Sequence, residues 1–451
     1  MRYAIPIAMI VLFSPLLGVV SGDYEYPERD NFESPPIMES YSTPVQLAFD
    51  RAEDLSYYSQ EELLNANEWL IVTGIPLGEH TKSSSSPMSS VETKVLPGSY
   101  IWQMADGGEA VEALSKAIET GEIESFSPLI KKEYAKKFYP NDPEFPSQWH
   151  LENNGQTGGL TGEDANLSGA WDSYNGSGVV ISIVDDGLDI SHPDIAPNYD
   201  QSASYDWCND DSDPTPLSFD GHGTAAAGVA GAAGNNSIYV SGAAFGASLA
   251  GSTLLACSIS DFVESEALSY ENDYIDIYSN SWGPSDTGRI LDGPGPLMTA
   301  AFENDVFQGR DGLGNIITWA AGNGLTNDDD SNYDGYANSR YTIAVTAITH
   351  QGDQSYYAEP GANILVAAHS NGDGEAITTT DIVGSGGYNS SGNVTDTFGG
   401  TSSATPLVSG VVALMLEANQ NLTWRDVQHI LVNTARVNDP SDSSWEINGA
   451  G

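Results

Sequence analysis

Asp185, His222 and Ser402 stand near glycines where one local pattern gives way to another, and they have the types needed to break an amide. That reaction needs a nucleophile, a base to take its proton, a carboxylate to orient the base, and donors for the oxyanion. Asp185 closes the β-branched run "GVVISIVDD", His222 opens the small-residue run in "DGHGTAAAGVAG", and Ser402 lies in "FGGTSSATPLVSGVVALMLEAN". In that last stretch Gly399 and Gly400 allow a sharp bend, Pro406 suits a first helical turn, and Leu407, Val411, Leu414 and Met415 recur at helical spacing. The hydroxyls of Thr401, Ser402 and Ser403 are therefore expected at a helix N-terminus. There they either cap unpaired N–H groups or support an anionic intermediate. Taken singly, the histidine reads as packed, the aspartate as a turn former and the serine as a cap. The chain order Asp, His, Ser, each in a glycine-flanked strand-to-helix context, favours the joint reading.

The elements that must position these residues follow from "GVVISIVDD", "ASLAGSTLLA", "DIYSNSWG", "NIITWAAGNG" and "RYTIAVTAI", short apolar runs alternating with helical stretches. Such alternation implies an α/β fold, a doubly wound parallel sheet with helices on both faces and chemistry at the strand C-termini. Ahead of it, residues 61–137 read as a small α+β unit. It carries strand-like "EWLIVTGIPL", a Ser-rich loop from Ser83 to Ser90, strand-like "SYIWQM", the amphipathic helix "GEAVEALSKAIETG" and strand-like "IESFSPLI". This unit ends in "KKEYAKK", Lys131 to Lys137, an isolated basic island. Residues 23–60 are polar, acidic and rich in Pro and Ser, as a leader or linker would be.

Composition narrows the partners. Against 63 acidic residues stand 15 basic ones, giving a formal charge of -48 in 451 residues, so binding to nucleic acid through phosphate neutralisation is excluded as a function class. The acidity fits cationic partners, a salty medium or calcium. The start, "MRYAIPIAMIVLFSPLLGVVSG", has the anatomy of a secretory signal peptide (1–22), and export is expected. No later stretch is expected to span a membrane. Two cysteines, Cys208 and Cys257, permit at most one intrachain disulfide.

The blocks "IVDDGLDISHPDI", "GHGTAAAG", "SNSWGP", "AAGNG", "DGYANS" and "GGTSSATP", in this order, resemble the subtilisin-like serine proteases, and within them the kexin and furin branch. The resemblance covers about Asp142 to the end, and the preceding unit is similar to that family's propeptide. It implies that Ser402 is the nucleophile, His222 the base, Asp185 its orienting carboxylate, and Asn323 a side-chain donor to the oxyanion. It implies a secreted, calcium-dependent endopeptidase, made as a zymogen, that cuts after basic residues and is first inhibited by its own propeptide. Asp286 and Asp334 would then face a basic side chain just before the scissile bond, Asp186 the next residue out, and Glu264 and Asp292 a more distant one. The bland reading of each is a solvated acid.

Calcium is implied at two places. Asp142, Asp194 and Asn236, with carbonyls of the Asn236 to Val240 loop, match one family site; Asp286, Asp329 and Glu359 match another. Some features depart from the branch pattern. Phe219 stands where the branch has an acid three residues before the histidine, with Asp220 one place later, and Ala226 replaces a cysteine. The family's following β-sandwich is also missing, so the catalytic unit, 138–451, is expected to be truncated. Two other readings stand beside this one: a broad-specificity degradative protease of the same fold, and a non-catalytic acidic calcium-binding protein.

Overall fold

The computed structural model describes residues 48–49, 51–73, 87–93, 96, 98–131 and 138–439. The signal segment, most of the leader, and Lys132 to Lys137 lie outside the described residues. The chain divides into two compact units, one before and one after the basic segment.

In the smaller unit, β1 (Glu68–Val72), β2 (Ser89–Glu92), β3 (Ser99–Gln103) and β4 (Ser125–Pro128) form an antiparallel sheet in the order β2-β3-β1-β4. The helix Gly107–Glu119 starts where Asp106 accepts the Glu109 N–H at 3.1 Å, and it buries Ala110, Leu114 and Ala117 among Trp69, Ile71 and Phe126. Two details differ from the sequence reading. The end of the Ser-rich loop is edge strand β2, whose four exposed residues carry no alternating pattern to betray it. Leu55 and Tyr58 already pack on this core, ahead of the expected boundary at residue 61.

The larger unit is built on seven parallel strands: β5 (Val180–Asp185), β6 (Tyr205–Asp206), β7 (Ser248–Thr253), β8 (Ile277–Asn280), β9 (Ile316–Ala320), β10 (Thr342–Ile348) and β11 (Ile364–His369). Their order is β11-β10-β9-β8-β5-β7-β6. From β5 the chain crosses to the edge strand β6, comes back to insert β7 next to β5, and then builds β8 to β11 in order on the other side. The order therefore reverses between β5 and β8, and a crevice opens at the carboxyl ends of such neighbours. Every residue of β5, β8 and β9 is buried, as expected of central strands covered on both faces. The expected α/β architecture, a subtilisin-like parallel sheet flanked by helices, is the one observed. A separate hairpin, β12 (Ile377–Thr380) with β13 (Val394–Phe398), leads into the Ser402 turn.

The Thr401–Ala418 helix corrects two expectations. Its N-cap is Gly400 at φ 77° with no side-chain cap, so none of the hydroxyls caps it, and Pro406 falls inside the helix rather than in its first turn. It is also long and apolar enough to cross a membrane, which the sequence reading did not anticipate, yet 83% of that window is buried inside the protein. A helix apolar all round is a core helix here. Cys208 and Cys257 form a disulfide that ties the loop after β6 to the loop after β7.

Candidate active site

Asp185 is the last residue of β5, and its buried carboxylate holds the imidazole of His222. Oδ1 and Oδ2 lie 2.8 and 2.9 Å from Nδ1. His222 begins the His222–Gly231 helix, and it reaches Asp185 because Gly223 lets the helix close on β5. A Cβ at Gly223 would stand 2.3 Å from the Gly187 carbonyl oxygen and 2.9 Å from Asp185 Cβ. Burial pulls the imidazole pKa down, but the charge and hydrogen bond of Asp185, helped by Asp186, outweigh it and hold His222 at about 9. Asp186 receives the first N–H groups of the same helix, from His222 at 3.2 Å and Gly223 at 2.7 Å. Burial and the neighbouring Asp185 push its carboxyl up to about 7, against the pull of those N–H groups.

Which hydroxyl can react is decided by burial. Ser403 is fully buried and bonded to Ser370 Oγ at 2.6 Å, and Thr405 donates to the Thr401 carbonyl at 2.9 Å. Ser402 alone of the three is partly exposed. Its hydroxyl donates to the Ser281 carbonyl at 3.2 Å, while Ser281 Oγ donates to the Ser402 carbonyl at 3.1 Å. Among the described residues no hydrogen bond joins Ser402 to His222. Such bonds are often long before substrate tightens the site.

Asn323 follows β9 and turns its side-chain oxygen to the Thr401 N–H at 2.8 Å. That bond fixes the amide so that its NH₂ edge is turned away from the helix start. The Ser402 N–H has no acceptor among the described residues, as expected in a helical first turn. The Ser402 N–H is thus a donor open to an anion, while the Asn323 side chain also hydrogen-bonds to Asp286.

The acids gather beyond the ends of β8 and β9. Asp334 Oδ1 accepts from Tyr336 N at 2.7 Å and Ala337 N at 3.3 Å, and a Cβ on Gly283 would sit 2.8 Å from its Oδ2. Burial, with Asp286 and Asp292 nearby, raises it to about 7 despite the N–H groups. Trp282, Trp319 and Tyr336 pack together beside it, the last two stacked at 5.0 Å. Glu264 accepts the Tyr336 hydroxyl at 2.9 Å, and Asp292 pairs through its backbone with Asp334. Asp286, Asp334, Glu264 and Asp292 share one neighbourhood, and Asp186 lies against His222.

The family profile described as the Subtilase family matches residues 176–451. The chain belongs to the subtilase family. It is 43% identical over 321 residues to the PC3-like endoprotease variant B of Hydra vulgaris, spanning 69% of this chain and 44% of that protein. It is 41% identical over 319 residues to human furin, spanning 69% of this chain and 38% of furin. The chain thus spans less than half the length of these curated relatives. Among solved structures, the serine protease of Aeromonas sobria superposes with a TM-score of 0.63 at 28% identity, covering 69% of this chain and 60% of that one.

The two calcium sets expected of a subtilase fit unequally. Asp286, Asp329 and Glu359 bring ligand oxygens within 4.8 Å of one another, the one such acidic group among the described residues. Burial, opposed by the Gly324 N–H and reinforced by Asp286, Asp329 and Asp334, raises Glu359 to about 8. Crowded buried carboxylates of this kind fit a hard divalent cation. In the other set, Asp142 accepts the backbone N–H groups of Asn235, Asn236 and Ser237, and Asn236 turns its NH₂ to Asp194 Oδ1 at 2.9 Å. Asp142, Asp194 and Asn236 lie together, with both carboxylates also accepting N–H groups of the Asn235 to Val240 loop. The sequence reading missed Ser281, whose role was hinted at by "SNSWGP" at the end of β8 and by a proline four residues beyond Ser402.

Proposed function

We propose that the chain is a serine endopeptidase that hydrolyses peptide bonds after Arg or Lys. The reading is supported by His222 oriented by buried Asp185, by Ser402 as the partly exposed hydroxyl at the start of its helix, and by the neighbouring Asp286 and Asp334 carboxylates beyond β8 and β9. The Ser402 oxygen attacks the scissile carbonyl carbon as its proton passes to His222 Nε2. Asp185 stabilises the resulting imidazolium and stays ionised. The oxyanion takes hydrogen bonds from the Asn323 NH₂ and the Ser402 N–H. On collapse the C–N bond breaks and His222 gives its proton to the leaving amine. A water deprotonated by His222 then attacks the acyl ester and frees Ser402.

Specificity follows from charge. A guanidinium or ammonium leaving water needs paired carboxylates, and Asp334 and Asp286 offer them on an aromatic-lined wall. Calcium held by Asp286, Asp329 and Glu359 would supply charge balance next to that pocket and rigidity to its loops. Asp186, Glu264 and Asp292 serve residues further out on the acyl side. Phe219 in place of an acid argues for tolerance of single basic sites over strict dibasic ones. The signal-like start and the basic island Lys131 to Lys137 support an exported zymogen whose 61–137 unit is cut away by the enzyme itself. Matched peptides ending the acyl half in Arg-Arg, Ala-Arg and Ala-Phe test the reading. Cleavage of both Arg peptides well above the Phe peptide supports it, and equal cleavage of all three points to a degradative protease.

A further inference from the structure

One wall beside His222 takes no part in the triad, and it stands on a tightly built turn. Asp381, fully buried just after β12, gathers three backbone N–H groups: Ile382 at 2.9 Å, Tyr388 at 3.1 Å and Asn389 at 2.6 Å. Gly387 has φ 70°, and a Cβ there would stand 1.7 Å from Asp381 Oδ1, so the turn closes only on glycine. The Gly387 N–H donates to the Ser218 carbonyl at 2.9 Å, which docks the turn on the segment feeding His222. Tyr388 is held edge-on to Phe398 at 5.8 Å, and Phe398 edge-on to His222 at 5.4 Å.

Phe398 is buried core, but Tyr388 is 46% exposed. Its hydroxyl has no hydrogen-bond partner among the described residues. Burial raises its pKa first, and the carboxylates that add to this are Asp185, Asp186 and Asp381, none of them from the Asp286 and Asp334 group. The Tyr388 ring thus stands one aromatic ring away from His222, through Phe398. In the proposed reaction the amine half of the substrate departs past His222, which must hand it a proton. An aromatic ring backed onto the histidine's own neighbour is where the first side chain of that half would rest.

We propose that Tyr388 determines specificity on the leaving-group side, accepting an apolar or aromatic side chain immediately after the scissile bond and disfavouring an acidic one. Contact with the ring supplies the apolar preference, and Asp185, Asp186 and Asp381 supply the repulsion. The inference rests on the endopeptidase reading.

Peptides that share an acyl half ending in Arg and differ only in the next residue, Phe, Gly or Asp, test it on the intact protein. The wild type should prefer Phe over Gly by about tenfold, the lower end for an apolar subsite, with Asp poorest. Tyr388→Ala should bring the Phe to Gly ratio close to one while keeping the preference for Arg over Gln on the acyl side. Tyr388→Phe should retain the ratio. Tyr388→Lys, whose ammonium is compatible with the nearby carboxylates, should raise Asp relative to Gly. An unchanged ratio in Tyr388→Ala, or an equal loss on every peptide with the ratio intact, overturns the proposal, the second outcome marking a support for His222. If the wild type cleaves none of the peptides, the endopeptidase reading falls together with it.

Discussion

Ser281 and Ser402 are bonded reciprocally, each hydroxyl donating to the other's backbone carbonyl, at 3.1 and 3.2 Å. The reason lies four residues on. In an uninterrupted helix the N–H of residue 406 would donate to the Ser402 carbonyl, but Pro406 has none. Ser281, just after β8, supplies the missing donor and so ties the backbone of Ser402 to the central sheet.

Removing that donor should be felt, and restoring the helix bond should relieve it. Ser281→Ala is expected to cost about 1–3 kcal/mol of stability, the range for a stranded acceptor. In a Pro406→Ala background the same change should cost less than half as much, because an N–H returns to position 406. Thermal unfolding of the four proteins closes the cycle. Equal costs in both backgrounds would show that the Ser281 hydroxyl does not compensate for the proline.

Activity should rise with pH as His222 loses its proton, because only the neutral imidazole can act as base. With its folded-state value near 9, the acid limb of kcat/KM should titrate above the ordinary histidine value of about 6.5. Asp185→Asn removes the largest upward influence and should move that limb to lower pH, with kcat reduced by about 10⁴. The sign for stability is the reverse of that for activity: the His222 and Asp185 pair stabilises fully below about pH 6.5 and is lost as pH rises through about 9. Coincident pH profiles for wild type and Asp185→Asn would contradict this electrostatic account.

Asp334→Asn should weaken Arg substrates selectively. Loss of one buried charge partner costs about 2–5 kcal/mol, so kcat/KM for an Arg peptide should fall by at least about thirtyfold, with a Phe peptide little changed. A uniform fall would assign Asp334 to the loop's architecture, since it also anchors the Tyr336 and Ala337 N–H groups.

Calcium should raise the melting temperature through Asp286, Asp329 and Glu359. At a hundredfold excess over its Kd the ion would stabilise by about 2.7 kcal/mol. Glu359→Gln should remove most of the calcium-dependent shift while relieving repulsion in its absence. A shift that survives Glu359→Gln unchanged would place the ion elsewhere.

Part of the candidate site was legible because its residues close or open regular elements. Asp185 closes a strand buried on both faces, and His222 opens a run so rich in Gly and Ala that it can only be a close-packed helix, so their neighbourhood shows in the pattern. What the pattern could not carry was long-range exchange of hydrogen bonds. Asn323, rather than a local hydroxyl, satisfies the start of the Thr401–Ala418 helix, and the Ser281 hydroxyl makes good the donor that Pro406 lacks. Both partners lie about 80 to 120 residues away, at |i−j| of 78 and 121. Similarly, edge strand β2 has no buried face to impose alternation, and while "GSGGYNSSGN" reads as a turn, its anchoring by buried Asp381 does not show in the sequence.

Self-processing provides an independent check on the zymogen reading. The wild type should begin after Lys132 or Lys137, preferably after Lys136-Lys137, which leaves Asp142 on the mature chain. Tethering makes this junction the most accessible basic site the enzyme meets. Ser402→Ala expressed in a protease-deficient host should stay uncut; the same N-terminus at the same rate would assign the cut to another enzyme.

The central claim, that Ser402 is the nucleophile beside a pocket for basic side chains, is tested most directly by covalent capture. An arginine-derived diphenyl phosphonate reacts with an activated serine and leaves an adduct whose position peptide mass mapping reveals. The expected result is a single adduct on Ser402, formed much faster than with the phenylalanine analogue and missing in Ser402→Ala. An adduct on Ser403, equal rates for both reagents, or no adduct at all would contradict the account.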